Sequence, residues 1–292
     1  MQFGLSMPIV QQLPGRAQAW ELRAGGPELL VVAREAERLG FSHLSACDHV
    51  AIPRTAAPAA GTVWYDPAVT LSFVAAATTR IRLLSHVIVL PYRHPLVLAK
   101  AFATLDHLSD GRVIFGAGCG HLRPEFRSLG VNYTQRGRLS DESLQAIQRV
   151  WENETATFSG TFIRFHDVTI APRPRQHPRP PIWVGGNSRA AVRRAARYAD
   201  GWIPWLVTPA RFAKGVQYAR QLREQGGQQT PLQYVAPLSV GVDDRPGAIR
   251  ARIETWVEAG ATSFHVGFVH TSLDHLRERM ALFADTVLRP AR

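Results

Sequence analysis

The chain has 292 residues, 46% hydrophobic and 20% charged, an ordinary globular balance that excludes wholesale disorder. That length exceeds one small module, falls short of two large enzyme domains, and suits a single α/β barrel, which commonly runs to about 250 residues. Lys and Arg number 34 against 23 Asp and Glu, a net charge of +11 that attracts anions: nucleic acid, a membrane surface, or a small ligand with several phosphates or carboxylates.

The elements alternate along the chain. Gln2 to Met7 reads as a short strand. Pro27 to Leu39 is an amphipathic helix stopped by Gly40, and His43 to Cys47 is a second strand. Asp66 caps a helix to Ala77, with Pro67 at its first position. Ile81 to Leu90, rich in β-branched residues, is the third strand. The spacing then predicts a helix over 95–108, a strand over 112–116 and a long helix over 135–151. Residues 155–170 break the rhythm, with Phe158-Ser-Gly-Thr-Phe162 as the turn of a hairpin. A proline-rich crossing follows, so the insertion covers about 155–180. Strands over 182–184, 201–203, 233–242 and 263–268 then alternate with helices over 188–198, 209–225, 245–259 and 273–287. Eight strands each followed by a helix predict one closed (β/α)8 TIM barrel, a single domain over 1–292 with a short hairpin insertion. An open doubly wound sheet would carry a glycine-rich turn after strand one, and Met7-Pro-Ile-Val-Gln-Gln has none.

Two cysteines, Cys47 and Cys119, cannot form a disulfide framework and read as a reducing compartment. The N-terminus lacks a basic start followed by an apolar run, and no stretch approaches the roughly 18 apolar residues of a membrane span. A cytoplasmic protein that does not engage membranes is expected. No DNA-recognition motif or aromatic-interleaved basic run appears, so nucleic acid is not the expected partner. Arginine-rich surface helices account for the charge equally well; lysine occurs only at Lys100 and Lys214.

In such a barrel, chemistry lies at the C-terminal ends of the strands. His49, His86 and His121 therefore converge on one mouth. Asp48-His49 leaves strand two: the Asp can orient or charge-pair with neighbours, and the His can move protons near neutral pH. Gly116-Ala-Gly-Cys119-Gly120 follows strand four, where glycines let backbone approach a flat ligand. It lacks the third glycine of a dinucleotide turn at the right spacing, so nicotinamide is not expected. Gly185-Gly186-Asn187-Ser188 joins a strand to a helix, where free amides favour an anion. Arg189, Arg193 and Arg197 follow on one face, answered by an anionic ligand or by solvent. No His-x-x-x-His or Cys-x-x-Cys spacing occurs and no metal is expected. No Gly-x-Ser-x-Gly elbow supports a hydrolase.

Together, Ile81 to Pro95, Ala99 to Arg112, Phe115 to Gly120, Pro181 to Ser188 and Arg197-Tyr-Ala-Asp-Gly-Trp202 resemble the luciferase-like monooxygenase family. They look closest to its actinobacterial branch that uses the deazaflavin coenzyme F420. The resemblance covers essentially the whole chain and is densest over 66–205. It implies the barrel with an added hairpin, and a flavin ring across the mouth against a bulge after strand three. That bulge holds a non-prolyl cis peptide, mapping to His86-Val87. Cys119, Gly120 and Val184 complete the expected cofactor contacts, and the phosphate sits at Gly185, Gly186, Asn187 and Ser188. Asp48-His49 matches the Asp-His that deazaflavin members place beside the ring, with His49 the proton-transfer candidate and Asp48 positioning it. In one departure, the position where such dehydrogenases often carry a general-acid Glu is His121, the second catalytic candidate. The coenzyme carries a phosphate and an oligoglutamate tail, which a basic rim would attract. The implied activity is hydride exchange between deazaflavin and a small organic substrate, in a homodimer. An FMN-dependent monooxygenase is the enzymatic alternative, and a non-catalytic binding protein on the same barrel the alternative outside enzymes.

Overall fold

The computed structural model describes residues 1–289. The chain starts with β1 (Gln2–Ser6), α1 (Gly26–Leu39), β2 (His43–Ala46), a single turn α2 (Ala57–Ala60) and α3 (Pro67–Ala75). Next come β3 (Arg82–Ser85), β4 (Ile88–Val89), α4 (Pro95–Leu108), β5 (Val113–Gly118), α5 (Arg123–Ser128) and α6 (Arg136–Glu152). The hairpin β6 (Ala156–Ser159) and β7 (Arg164–Val168) precedes β8 (Ile182–Gly185), α7 (Arg189–Tyr198), β9 (Gly201–Ile203) and α8 (Pro209–Gln225). β10 (Gln233–Val240), α9 (Pro246–Glu258), β11 (Ser263–Phe268) and α10 (Leu273–Phe283) complete it.

Eight parallel strands close into a barrel in the order β1, β2, β3, β5, β8, β9, β10, β11. Leu5 opposite Val266 joins the last strand to the first. Local chemistry sets the boundaries. Gly40 takes φ 95° and its amide bonds the carbonyls of Ala36 and Glu37, ending α1 where a side chain would be strained. Asp66 caps α3, its Oδ1 accepting from the amides of Ala68 at 2.9 Å and Val69 at 3.1 Å. The hairpin pairs antiparallel outside the barrel, as its alternation predicts.

Two expectations are corrected. The third strand is not continuous from 81 to 90; it breaks at His86-Val87 into β3 and β4, and the peptide between them is cis. Residues after the glycine run also form α5, absent from the sequence reading.

The largest core lies between helices and sheet, and a smaller cluster of Leu84, Ile114, Trp183, Ile203 and Val235 packs separately. Polar rings share the barrel interior. The His43 and His265 rings stack 5.7 Å apart, and His86 meets His265 at 4.4 Å. Gly4 makes room for this column, because a Cβ there would lie 1.9 Å from the His43 ring. Burial drives His43 down to about 3 and His86 to about 4, with neighbouring charge adding to the shift at His43; burial, with His86 and His43 alongside, holds His265 well below 6.5. The folded state thus refuses protons that the unfolded chain accepts below pH 6.5. Stability from these rings is complete above that pH and drains as pH falls toward 4 and 3. The urea midpoint should decline between pH 7 and pH 5. His43→Gln should flatten the decline by up to about 1.4 kcal/mol per pH unit; parallel curves would show that His43 is not held neutral.

No helix of the described residues is long and apolar enough to cross a membrane.

Candidate active site

Asp48 and His49 leave β2 side by side, but their side chains diverge. Asp48 is buried, and its Oδ2 accepts from the Val89 amide at 2.8 Å and from Arg93 Nη1 at 2.7 Å. Arg93 Nη2 donates to Asp48 Oδ1 at 3.0 Å and to Asp66 Oδ2 at 3.0 Å. Asp48 therefore braces the end of β2 against β4 and the cap of α3. The expectation that it positions His49 is corrected.

The partner of His49 is Glu125, from α5. His49 Nδ1 lies 2.6 Å from Glu125 Oε2, which also accepts from the Tyr92 hydroxyl at 2.8 Å. Glu125 Oε1 accepts from the amides of Val50 at 2.7 Å and Ala51 at 3.1 Å. Burial alone would raise this carboxyl; hydrogen bonds from His49, Ala51 and Tyr92 outweigh it and hold Glu125 below the usual range. An ionised carboxylate can only accept, so Nδ1 carries a hydrogen and Nε2 is the nitrogen left to exchange a proton. Trp64 packs against the ring at 4.4 Å, and His121 lies 5.9 Å away, edge to face. Burial, reinforced by His49 and opposed by Glu125, lowers the His121 pKa, so it is neutral at physiological pH. Burial and donation to Glu125 push the Tyr92 phenol up, keeping its proton on the oxygen.

The bulge at His86-Val87 faces the glycine run. A Cβ at Gly118 would lie 2.6 Å from Val87 Cγ2, one at Gly185 2.8 Å from Val87 Cγ1, and one at Gly116 1.7 Å from the Ser85 carbonyl oxygen. What approaches these glycines is protein, so the run seats the bulge rather than a ligand directly. Gly120, at φ 71°, turns the chain toward His121 against Val89 and Phe126. Burial raises both thiols, Cys47 to about 12 with help from Asp48, so neither is a thiolate at neutral pH. Val184 packs in the core between sheet and helices, so its side chain does not reach the mouth.

Gly186, at φ 101°, leads into the Ser188 cap of α7, whose Oγ accepts from the Ala191 amide at 3.2 Å. The amides of Arg189 and Ala190, in the exposed first turn, find no partner among the described residues. Asn187 Nδ2 ties this loop to the Trp205 carbonyl at 3.1 Å. Unpaired amides at a capped helix start suit a phosphate.

Next to this loop, a cavity of about 760 Å³ opens between the ends of β1, β10 and β11. Met7, Trp205, Leu238 and Phe268 supply apolar wall, His265 is part of its lining, and Arg16 stands over the Trp205 ring at 5.8 Å. Phe126 and Trp202 are fully buried, against Tyr92 and Phe212 respectively, and line no part of this cavity.

The luciferase-like monooxygenase model matches residues 1–286, and the chain belongs to that family. An uncharacterized protein of Mycobacterium tuberculosis is 33% identical over 258 residues, covering 83% of this chain and 87% of the relative. A monooxygenase of Streptomyces bottropensis superposes with TM-score 0.84 at 24% identity, covering 99% of each chain. An F420-dependent secondary alcohol dehydrogenase superposes at 0.79 with 15% identity, covering 98% of each. The oxygenating constituent of 3,6-diketocamphane monooxygenase from Pseudomonas putida, in complex with FMN, superposes at 0.78 with 16% identity, covering 98% of this chain and 97% of the other. At those identities the structures speak for the fold alone.

Proposed function

We propose that the chain is an F420-dependent oxidoreductase that exchanges a hydride between deazaflavin and a small organic substrate. The observation that carries this reading is His49, its Nδ1 fixed by Glu125 and its Nε2 left for proton exchange at the barrel mouth. When bound, the deazaflavin ring supplies or accepts the hydride. The His86-Val87 bulge would support the ring, and Gly186, Asn187, Ser188 and the first amides of α7 would hold the phosphate. His49 Nε2 takes a proton from a substrate oxygen, or returns one, while Glu125 stabilises the charged ring. His121, neutral and beside His49, can bridge that proton to the substrate. The cavity beside Trp205 would admit the substrate.

The second reading, an FMN-dependent monooxygenase, is supported by the same cradle, since FMN also ends in a phosphate. Assembly as a cytoplasmic homodimer belongs to the proposal. Val69 and Phe73, one turn apart on α3, and Val97 on α4 are exposed apolar side chains of the kind a second copy covers.

Fluorescence titration with both cofactors separates the readings. Coenzyme F420 should bind more tightly than FMN, and rising salt should weaken it by screening. Equal or tighter FMN binding, with oxygen-dependent product from reduced FMN, would make the monooxygenase reading the correct one.

A further inference from the structure

Behind the cradle, α7 and α8 enclose a groove of about 420 Å³ that begins at Asn187. Val192, Trp202 and Val207 give it apolar surface, while Arg189, Arg211 and Lys214 supply positive charge. No carboxylate is among its lining residues. Some basic side chains elsewhere are answered by carboxylates: Arg179 pairs with Glu152 and Asp200, Arg194 with Asp141, and Arg252 with Asp244. Arg189, Arg211 and Lys214 take part in no ion pair among the described residues.

These cations are aimed rather than scattered. The Arg189 guanidinium stacks over the Tyr218 ring at 4.2 Å, which turns it from α7 across to α8. Arg211 Nη2 donates to the Asn187 carbonyl at 3.3 Å, which turns it from α8 back to the cradle. Lys214 follows one turn along α8. Like charges around one groove repel, and no carboxylate lining it offsets them. An anion at the cradle that continued as a chain of further anions would run straight into the groove. A ligand ending in one phosphate would stop short of it.

We infer that the groove between α7 and α8 holds the carboxylate-bearing tail that follows the phosphate of the deazaflavin coenzyme, with Arg189, Arg211 and Lys214 as its ligands. The inference rests on the proposed function and deepens it. The cradle accepts any flavin phosphate, and the groove is what favours a polyanionic cofactor over a monophosphate one. Because the ligands are exposed, the interaction is strongly salt-dependent and tolerates several tail lengths.

The test is equilibrium binding, read by cofactor fluorescence at low and moderate salt. The proteins are wild type and the double variant Arg211→Gln, Lys214→Gln, whose exposed positions leave the fold intact. Thermal melts check this. The probes are coenzyme F420 with its oligoglutamate tail, its riboside core lacking phosphate and tail, and FMN. The double variant should lose about 2- to 30-fold in affinity for the full coenzyme, the range expected for two exposed ion pairs. Its affinity for the core should not change, and its affinity for FMN should change less than that for the coenzyme. Its coenzyme binding should also become less sensitive to salt. Unchanged coenzyme affinity, or equal losses for coenzyme and FMN, would overturn the groove while leaving the deazaflavin reading intact. Binding of FMN but of neither deazaflavin would overturn both.

Discussion

His49→Ala should slow single-turnover oxidation of reduced deazaflavin by a confirmed substrate about 10²–10⁴-fold, the usual contribution of a general acid–base group. Cofactor affinity should hold, because the bulge and cradle that would contact the cofactor lie on other segments. His121→Ala should cost less. Its ring is 5.9 Å from His49 and has no carboxylate fixing it, whereas His49 is anchored at 2.6 Å. The measurement is stopped-flow absorbance of the deazaflavin for wild type and both variants. If His49→Ala keeps the wild-type rate and His121→Ala does not, His121 is the donor. If both keep it, solvent or substrate supplies the proton.

Glu125→Gln should have the next largest effect, although Glu125 is a positioning residue that acts only through His49. The carboxylate accepts four hydrogen bonds on two oxygens. A glutamine turns one of those atoms into a donor, so either His49 and Tyr92 or the Val50 and Ala51 amides face an N–H. Leaving buried donors unpaired costs about 1–3 kcal/mol, which urea unfolding should register. The rate should fall as well, toward but not beyond that of His49→Ala, since Nδ1 is no longer obliged to carry the hydrogen. Measuring both separates two roles. A lowered urea midpoint with an unchanged single-turnover rate in the folded fraction would make Glu125 a structural residue only.

Where local chemistry decides, the sequence was readable. Gly40, the Asp66-Pro67 start and the Ser188 cap each announce a boundary through a backbone requirement, and the alternation of strands and helices carries the closed barrel. The break at His86-Val87 is hidden in Leu84-Ser-His-Val-Ile-Val-Leu90, because the β-branched Val87, Ile88 and Val89 directly after it favour continued strand. Only resemblance pointed there. The true partner of His49 escaped for a geometric reason. Asp48 is adjacent in sequence, but neighbouring side chains leaving a strand point apart. A carboxylate that can reach His49 has to come from another loop, and Arg123-Pro-Glu-Phe126 is too short to show helical periodicity. The usable signal was a Glu one turn beyond His121, on the loop already assigned to the mouth.

The mouth is unevenly fastened, and that bears on how such a protein changes over generations. On one side, Arg93 clasps Asp48 and Asp66 together while Glu125 locks the segment from His49 to Ala51, so a substitution there disturbs several loops at once. On the other side, Leu13, Arg16, Trp205 and Leu206 border the cavity, and the last three are exposed. Substitutions on the loose side should therefore be tolerated more readily than those on the fastened side. A randomised library confined to those four positions samples new guests and leaves the proton-handling machinery untouched.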